Sequence, residues 1–277
     1  MNVERHITVL ERMAASGTIM MCQACGASTP VVGSIGICHS CESIVYMGRD
    51  ALEKRSADLV AALDSINAQL SAGRYDDALA QYDALYAKQG DPSLLYAEGL
   101  AWNAYSNREV SLISYYREGF MEENTTHRDA AAKYAARARL LFNKSISACN
   151  AAMAGGSSPA AMYTAFLSHV KLGNLRAAES VLGKISGMGN SYLDAYAKMV
   201  FDSAAGRFKE LAADSEKLMK PDMWSINAFY YMSLALLKAH NAGAALKLIG
   251  SLKKHIGGSS IDALEKEAAN YRAATLI

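Results

Sequence analysis

The chain has 277 residues, and 51% of them are hydrophobic, which is enough to bury a substantial core and argues against a largely disordered protein. It carries 28 Lys and Arg residues against 27 Asp and Glu residues. A nearly neutral chain has no global field that would draw it to DNA or to an anionic membrane, so any electrostatic partner must be bound by a local patch.

Residues 1–17 predict a short amphipathic helix. One helical face collects four apolar residues: Val3, Ile7, Leu10 and Ala14. Charged residues interrupt the apolar run that a secretion signal needs, so we expect a docking helix in a cytoplasmic protein. The most apolar later segment, at 226–237, is shorter than the roughly twenty residues that cross a bilayer. We therefore expect no membrane span.

Residues 18–48 contain a four-cysteine pattern that predicts a metal site. Two CxxC pairs are separated by twelve residues, and their members are Cys22, Cys25, Cys38 and Cys41. Each CxxC turn brings two thiolates to one side of a tight knuckle, and two knuckles supply the four sulfur ligands of a tetrahedral site for Zn²⁺ or a single iron. Gly26 suits the position after the first pair, which often requires a backbone conformation that only glycine adopts without strain. Glu42 stands at the equivalent position in the second knuckle and is less suited to it.

The glycines and β-branched residues around these pairs are consistent with small hairpins, and the region resembles a zinc ribbon. It also resembles the iron domain of rubrerythrin-like proteins. That family joins the domain to a helix bundle with Glu-x-x-His motifs, and no Glu of this chain has a His three residues later. We therefore predict one Zn²⁺ per chain, with a rubredoxin-like iron electron-transfer protein as the alternative. His39 lies inside the second knuckle and could in principle replace one of the four sulfur ligands.

The ribbon lacks the charge that nucleic acid requires. No Lys or Arg lies between Thr18 and Gly48, and Glu42 is the only acidic residue there. Because phosphate backbones are bound by cationic side chains, we expect no nucleic-acid binding through the ribbon. A protein contact or an architectural role is favoured.

The rest of the chain, 49–277, contains a repeated helix–turn–helix pattern. Four similar segments place a turn residue between two helices, at Gly73, Gly173, Gly206 and His240. The last three of these are 33 and 34 residues apart. The pattern resembles the tetratricopeptide repeat, which implies a mainly α fold, an α-solenoid formed as a superhelix of antiparallel helix pairs. Because 100 residues separate Gly73 from Gly173, two further units are expected between them.

One of those two units is visible at 94–116, whereas the other has no internal turn and predicts a long irregular helix near 127–154. Three prolines, which cannot continue a helix, fall at the inferred repeat starts: Pro92, Pro159 and Pro221. A more polar segment near 259–275 predicts a capping helix.

The sequence shows no phosphate-cradling loop and no nucleophile elbow, and we predict that the protein is not an enzyme. The resemblance to tetratricopeptide repeats implies a groove, lined by first helices, that binds a protein or peptide segment. Tyrosine gives large contact area at modest entropy cost. Six tyrosines on the inferred first helices are the predicted partner-binding residues: Tyr96, Tyr105, Tyr163, Tyr196, Tyr230 and Tyr231.

The long helix carries a second candidate surface, made of five basic residues: Arg128, Lys133, Arg137, Arg139 and Lys144. Such a face could bind an acidic peptide or a nucleic-acid backbone, and a solvated face is the alternative. The sequence favours a non-enzymatic protein–protein interaction adaptor or scaffold with a structural zinc site. The alternatives are a nucleic-acid-associated factor that uses the basic helix 128–144 and the iron protein described above.

Overall fold

The computed structural model describes residues 3–22, 24–31, 35–46, 57–115, 121–154, 158–220, 222–256 and 259–275. These residues form twelve helices and four short strands, so the fold is mainly α with a small β region near the N-terminus. The predicted fold class is confirmed in this respect. Pro221 lies outside the described residues.

The helices are α1 (Val3–Ser16), α2 (Ala57–Ser71), α3 (Tyr75–Gln89), α4 (Pro92–Tyr115), α5 (Met121–Ala154), α6 (Pro159–Lys171), α7 (Leu175–Ser186), α8 (Ser191–Ala204), α9 (Phe208–Lys217), α10 (Asn227–Lys238), α11 (Ala242–Leu252) and α12 (Ser259–Thr275). The strands are β1 (Thr18–Met21), β2 (Ser28–Val31), β3 (Ile35–Ile37) and β4 (Ile44–Tyr46).

The chain divides into two compact units. The first comprises Met1–Cys22, Ala27–Ala51 and Leu175–Ile277, and the second comprises Gln23–Gly26 and Leu52–Asn174. The sequence-based division at residues 17 and 48 stays a prediction.

In the first unit, helix α1 packs on α11. Leu10 is fully buried, and two ion pairs flank the contact, from Glu4 to Lys247 at 2.9 Å and from Glu11 to Lys254 at 3.5 Å. The apolar face that the sequence marks as a docking surface is therefore directed at a helix of the same chain.

Four turns between helices share one backbone geometry. Their central residues have left-handed φ values of 74°, 73°, 72° and 60°, at Gly73, Gly173, Gly206 and His240 respectively. In each turn this residue's amide donates to the carbonyl three residues back, and the next amide donates to the carbonyl five residues back. Five positions after each turn residue stands a side chain with 0% exposure: Ala78, Ala178, Leu211 and Ala245. The four turn positions predicted from the sequence are therefore turns of the same backbone geometry in the structure.

In the second unit, one pair of long helices, α4 and α5, stands where two shorter repeat units were expected. The expectation of two units is wrong, because the segment expected to form the first of them belongs to the single helix α4, and α4 pairs directly with the long helix α5. Gly99 is a packing residue inside α4, where an added Cβ would lie 2.8 Å from the Phe142 ring of α5. Although α5 has 34 residues, neither it nor any other helix in the described ranges is both long and apolar enough to cross a membrane.

Candidate metal centre

The four cysteines lie at the ends of two short hairpins. Strand β1 pairs antiparallel with β2, and β3 pairs antiparallel with β4. In each hairpin the amide of the first cysteine donates to a carbonyl five residues later, Cys22 to Ala27 and Cys38 to Ser43, both at 2.9 Å. An equivalent backbone hydrogen bond therefore closes each of the two knuckles.

The residue after each second cysteine has a left-handed backbone, with φ of 73° at Gly26 and 60° at Glu42. At residue 26 an added Cβ would also lie 2.3 Å from Asn67 Nδ2 and 3.1 Å from Leu63 Cβ, so glycine suits this position for two reasons. A residue with a side chain is destabilised in this conformation by about 1–2 kcal/mol. Glu42 must offset that strain through the contacts of its carboxylate.

The knuckles bring the four cysteine sulfur atoms within 4.8 Å of one another. The Sγ atoms of Cys22 and Cys41 are 3.6 Å apart. Around a tetrahedral ion with metal–sulfur bonds of about 2.3 Å, neighbouring sulfurs lie about 3.8 Å apart, so the donor set fits a four-coordinate ion. All four side chains are buried, and no disulfide joins any of the chain's five cysteines, all of which are described. Within the described ranges, no other group of Cys, His, Asp and Glu converges in this way.

One of the four sulfurs, Sγ of Cys38, accepts two further hydrogen bonds. The Ser40 amide donates at 3.4 Å and the Thr29 hydroxyl at 3.5 Å. Such donors favour the charged form of a thiol, which is the form that binds metal. Thr29 is fully buried, and its hydroxyl also lies 3.2 Å from Nδ1 of His39. His39 faces this hydroxyl rather than joining the sulfur cluster, and burial lowers its pKa.

The second knuckle is hydrogen-bonded to helices α8 and α10 of the same unit. The Glu42 carboxylate accepts from the hydroxyl of Tyr196 at 3.3 Å and from that of Tyr231 at 2.5 Å. Asn227 donates from Nδ2 to the Cys38 carbonyl at 3.1 Å and is also hydrogen-bonded to the Tyr196 hydroxyl. We call Tyr196, Asn227 and Tyr231 the clamp. Its bonds offset the strained backbone of Glu42.

The six predicted partner-binding tyrosines lie in different environments. Four are buried: Tyr96, Tyr163, Tyr196 and Tyr231. Two of these four, Tyr196 and Tyr231, bind the ribbon of their own chain through Glu42. Tyr230 is half-buried, and its pKa is raised by burial and by the nearby carboxylate of Glu42. A role for these tyrosines in binding a partner stays a prediction.

The remaining predicted tyrosine, Tyr105, belongs to an aromatic column in the second unit. Its ring stacks on Tyr75 and on Tyr134, each with centroids 4.2 Å apart, and Trp102 packs against Tyr134 at 5.3 Å. All four rings are half-buried. The Arg108 guanidinium lies 5.3 Å above the Tyr75 ring. A hydrogen bond with Tyr134, together with burial, raises the pKa of Tyr105.

The basic residues of the long helix do not form a uniform surface. Four are exposed: Arg128, Lys133, Arg139 and Lys144. Arg137 is half-buried, and its Nη2 lies 2.9 Å from Asp83 of α3 and 3.3 Å from Glu98 of α4. Glu98 is only 1% exposed and also accepts from Trp102 Nε1 at 3.0 Å. Arg137 therefore joins α5 to its neighbours, and binding of an acidic peptide or nucleic acid by the basic helix stays a prediction.

Sequence reasoning missed Thr29 and Asn227 and treated Glu42 only as an imperfect knuckle residue. Two signals were available. Asn227 is a polar residue inside the most apolar segment of the chain, which indicates a buried hydrogen-bond partner. Glu42 is the only acidic residue of a ribbon without Lys or Arg. Thr29 carries no such signal, because its proximity to Cys38 depends on how the two hairpins meet.

No protein-family model matches the sequence, and no curated protein shows significant similarity to it. The crystal structure of a tetratricopeptide repeat protein from Parabacteroides merdae is 15% identical, with a TM-score of 0.43 over 79% of this chain and 88% of that chain. The crystal structure of YrrB, a TPR protein with an unusual peptide-binding site, is 17% identical, with a TM-score of 0.31 over 81% of this chain and 96% of that chain. Similarities with identities and TM-scores as low as these carry no argument about function. The recurring turns and the cysteine cluster of the chain itself show tetratricopeptide-like helix pairs preceded by a four-cysteine ribbon, as the sequence predicts.

Proposed function

We propose that this protein is a non-enzymatic cytoplasmic adaptor that binds a protein or peptide segment, and that its four-cysteine centre holds one structural Zn²⁺. The observation that carries the metal assignment is the convergence of four buried sulfur atoms within 4.8 Å. An ion bound by four cysteines has no open position for water or substrate, which supports a structural role. A reducing compartment keeps such thiols available for metal.

The ribbon has little secondary structure of its own. Its strands are three or four residues long, and each is paired with a single partner strand in the described residues. Isolated two-stranded hairpins are marginal in water, so the free energy of metal binding is expected to contribute directly to folding of the ribbon. The ion would be held by Cys22, Cys25, Cys38 and Cys41, and it would crosslink the two hairpins.

Elemental analysis of the purified protein, with its visible spectrum, tests this assignment. We expect one zinc per chain and no colour. Iron with a thiolate charge-transfer band would overturn the zinc assignment and support the electron-transfer alternative, because the same donor set accommodates a single iron.

The aromatic column supports the adaptor role. Half-buried Tyr and Trp side chains are enriched at protein interfaces because they offer large, rigid contact areas.

The test is direct binding of a partner captured on the zinc-loaded chain and then purified. We expect Tyr75→Ala and Tyr134→Ala to weaken that binding at least about tenfold, whereas Tyr86→Ala, a half-buried tyrosine of α3 outside the column, leaves it unchanged. Equal binding by all variants at intact helicity would contradict this surface, and failure of every captured protein to bind directly would contradict the adaptor role.

A further inference from the structure

The second knuckle performs two tasks with the same five residues. Between Cys38 and Glu42 the chain provides two sulfurs of the cysteine cluster and also the two acceptors that bind the clamp, the Cys38 carbonyl and the Glu42 carboxylate. The Glu42 amide donates to the Cys38 carbonyl at 3.0 Å and closes this loop. Closing the loop around an ion and presenting both acceptors to α8 and α10 therefore require the same conformation.

The clamp is polar and yet buried. Tyr196 is 0% exposed, Asn227 4% and Tyr231 8%. Buried polar groups cost free energy unless they are hydrogen-bonded, and the knuckle supplies acceptors for all three residues, directly or through Tyr196. If the knuckle moves away, these donors require another acceptor, either water or a different segment.

We propose that the clamp is a recognition site for a carboxylate beside a backbone carbonyl, that the chain's own second knuckle occupies it while metal is bound, and that loss of the metal frees it for an acidic peptide segment. This inference rests on the metal site proposed above. The class of partner follows from the donors: two hydroxyls converge on one oxygen of the Glu42 carboxylate, and the amide of Asn227 binds a main-chain carbonyl.

Coupling between two sites is reciprocal. If the ion favours the docked knuckle, the docked knuckle raises the affinity for the ion by the same factor. Tyr196 and Tyr231 lie 154 and 189 positions after Glu42 in the chain, and each donates a hydrogen bond to its carboxylate. They act as positioning residues for the metal centre, and losing one such bond is expected to weaken zinc binding by about fivefold or more.

Chelator competition on the full chain measures this coupling. The variants are Tyr231→Phe, which removes one hydroxyl donor, and Glu42→Gln, which removes the charge of the acceptor. Tyr230→Phe is the matched control, because its ring packs edge-on against Tyr231 with centroids 5.3 Å apart but its hydroxyl is not one of the two donors to Glu42. We expect weaker zinc binding in the two variants and wild-type binding in the control.

The outcomes separate this inference from the proposed function. Equal zinc affinity in all four proteins overturns the coupling and leaves the zinc site intact. No zinc binding by the wild-type chain overturns the proposed metal site itself. If Tyr231→Phe does not fold, Glu42→Gln decides, because Glu42 is only half-buried.

A peptide probe tests the freed clamp. The probe is a labelled peptide of residues 35–46 carrying Cys38→Ser and Cys41→Ser, so that it presents the acceptors without binding metal. We expect it to bind the metal-free chain at least about fivefold more tightly than the zinc-loaded chain, and to lose a similar factor when Glu42→Gln is added to the peptide. If the metal-free chain loses helicity, the zinc-loaded Glu42→Gln protein is used as the peptide's binding partner instead. The knuckle of that variant lacks the carboxylate that would compete with the peptide for the clamp. Binding that depends on neither zinc nor the peptide's Glu42, or no binding at all, would overturn the proposal.

Discussion

The Tyr231 hydroxyl donates a 2.5 Å hydrogen bond to the carboxylate of Glu42, a residue 189 positions earlier in the chain. Glu42 has a left-handed backbone and directly follows Cys41, one of the four clustered cysteines. An acidic residue therefore stands where glycine would be relaxed, because its side chain joins the ribbon to the helices. The backbone strain arises at Glu42 itself, whereas the hydrogen bonds that offset it come from helices distant in the sequence.

Loss of one sulfur ligand should abolish the metal centre. For Cys41→Ser we expect zinc affinity to fall by more than about 100-fold, since even the loss of an outer hydrogen bond to a ligand costs 10- to 100-fold. Zinc content after dialysis against a weak chelator measures the effect. Cys149→Ala is the control, because Cys149 is buried against Ala161 and Ala165, is not one of the four clustered cysteines, and has a pKa that burial raises to about 11. Full zinc content in Cys41→Ser would contradict the four-cysteine site.

The turn glycines should be sensitive to substitution even where space is available. Gly173 has a φ of 73° and nothing within 4 Å of an added Cβ, so Gly173→Ala introduces backbone strain alone. We expect a loss of about 1–2 kcal/mol in the free energy of unfolding.

Gly183, inside α7, provides the matched comparison, since it also has open space around an added Cβ but a helical backbone. Gly183→Ala is expected to stabilise the protein by about 0.5–1 kcal/mol. Urea denaturation of both variants measures the two effects, and a loss of stability in Gly183→Ala, or none in Gly173→Ala, would contradict the turn assignment.

A buried carboxylate should make stability depend on pH. Asp202 is 7% exposed, and burial, with the Asp214 carboxylate adding to it, raises the pKa of Asp202 from 3.8 to about 6. The folded state therefore binds the proton of Asp202 more tightly than the unfolded state does. The stability that this protonated carboxyl contributes is lost as the pH rises from about 4 to 6. We expect Asp202→Asn to be more stable than the wild type at pH 7 by about 1–3 kcal/mol, and no more stable below pH 4.

Asp194 is expected to show the opposite sign. Burial alone would raise its pKa, but hydrogen bonds from Lys198, at 2.7 Å, and from Ser186 outweigh burial and lower it. Its contribution to stability is present above the unfolded-state pKa and is lost as the pH falls through the lower folded-state pKa. Asp194→Asn should therefore destabilise the protein at pH 7. Thermal denaturation across pH 3–8 distinguishes the two variants, and parallel profiles for both would contradict these assignments.

Two arginines of the long helix should differ in their effect on folding. Arg137→Ala leaves the 1%-exposed carboxylate of Glu98 without its cation, and we expect a loss of about 2–3 kcal/mol. Arg139 is exposed, and Arg139→Ala should change stability by less than about 0.5 kcal/mol. Chemical denaturation measures both, and equal effects would show that Arg137 is a surface charge like its neighbour.

The extent of sequence-based prediction differs between the elements. The four turns and the paired cysteines were predictable because each is decided by a few adjacent residues: a left-handed residue between two helices, or two cysteines on one tight knuckle. The long helices α4 and α5 were only partly predictable. Gly99 reads as a repeat position in the sequence, whereas in the structure it is a close contact with Phe142 inside one continuous helix.

The sequence by itself determined the mainly α repeat pattern, the turn positions and the four sulfur donors, because these depend on interactions between residues close together in the chain. Only the tertiary structure decided that Tyr196 and Tyr231 bind Glu42 and that Arg137 binds Glu98. Those pairs are separated by 154, 189 and 39 positions, and no periodicity or spacing specifies which polar groups meet when helices pack. Burial then makes the pairing obligatory, because a polar group removed from water must find its hydrogen bond inside the protein.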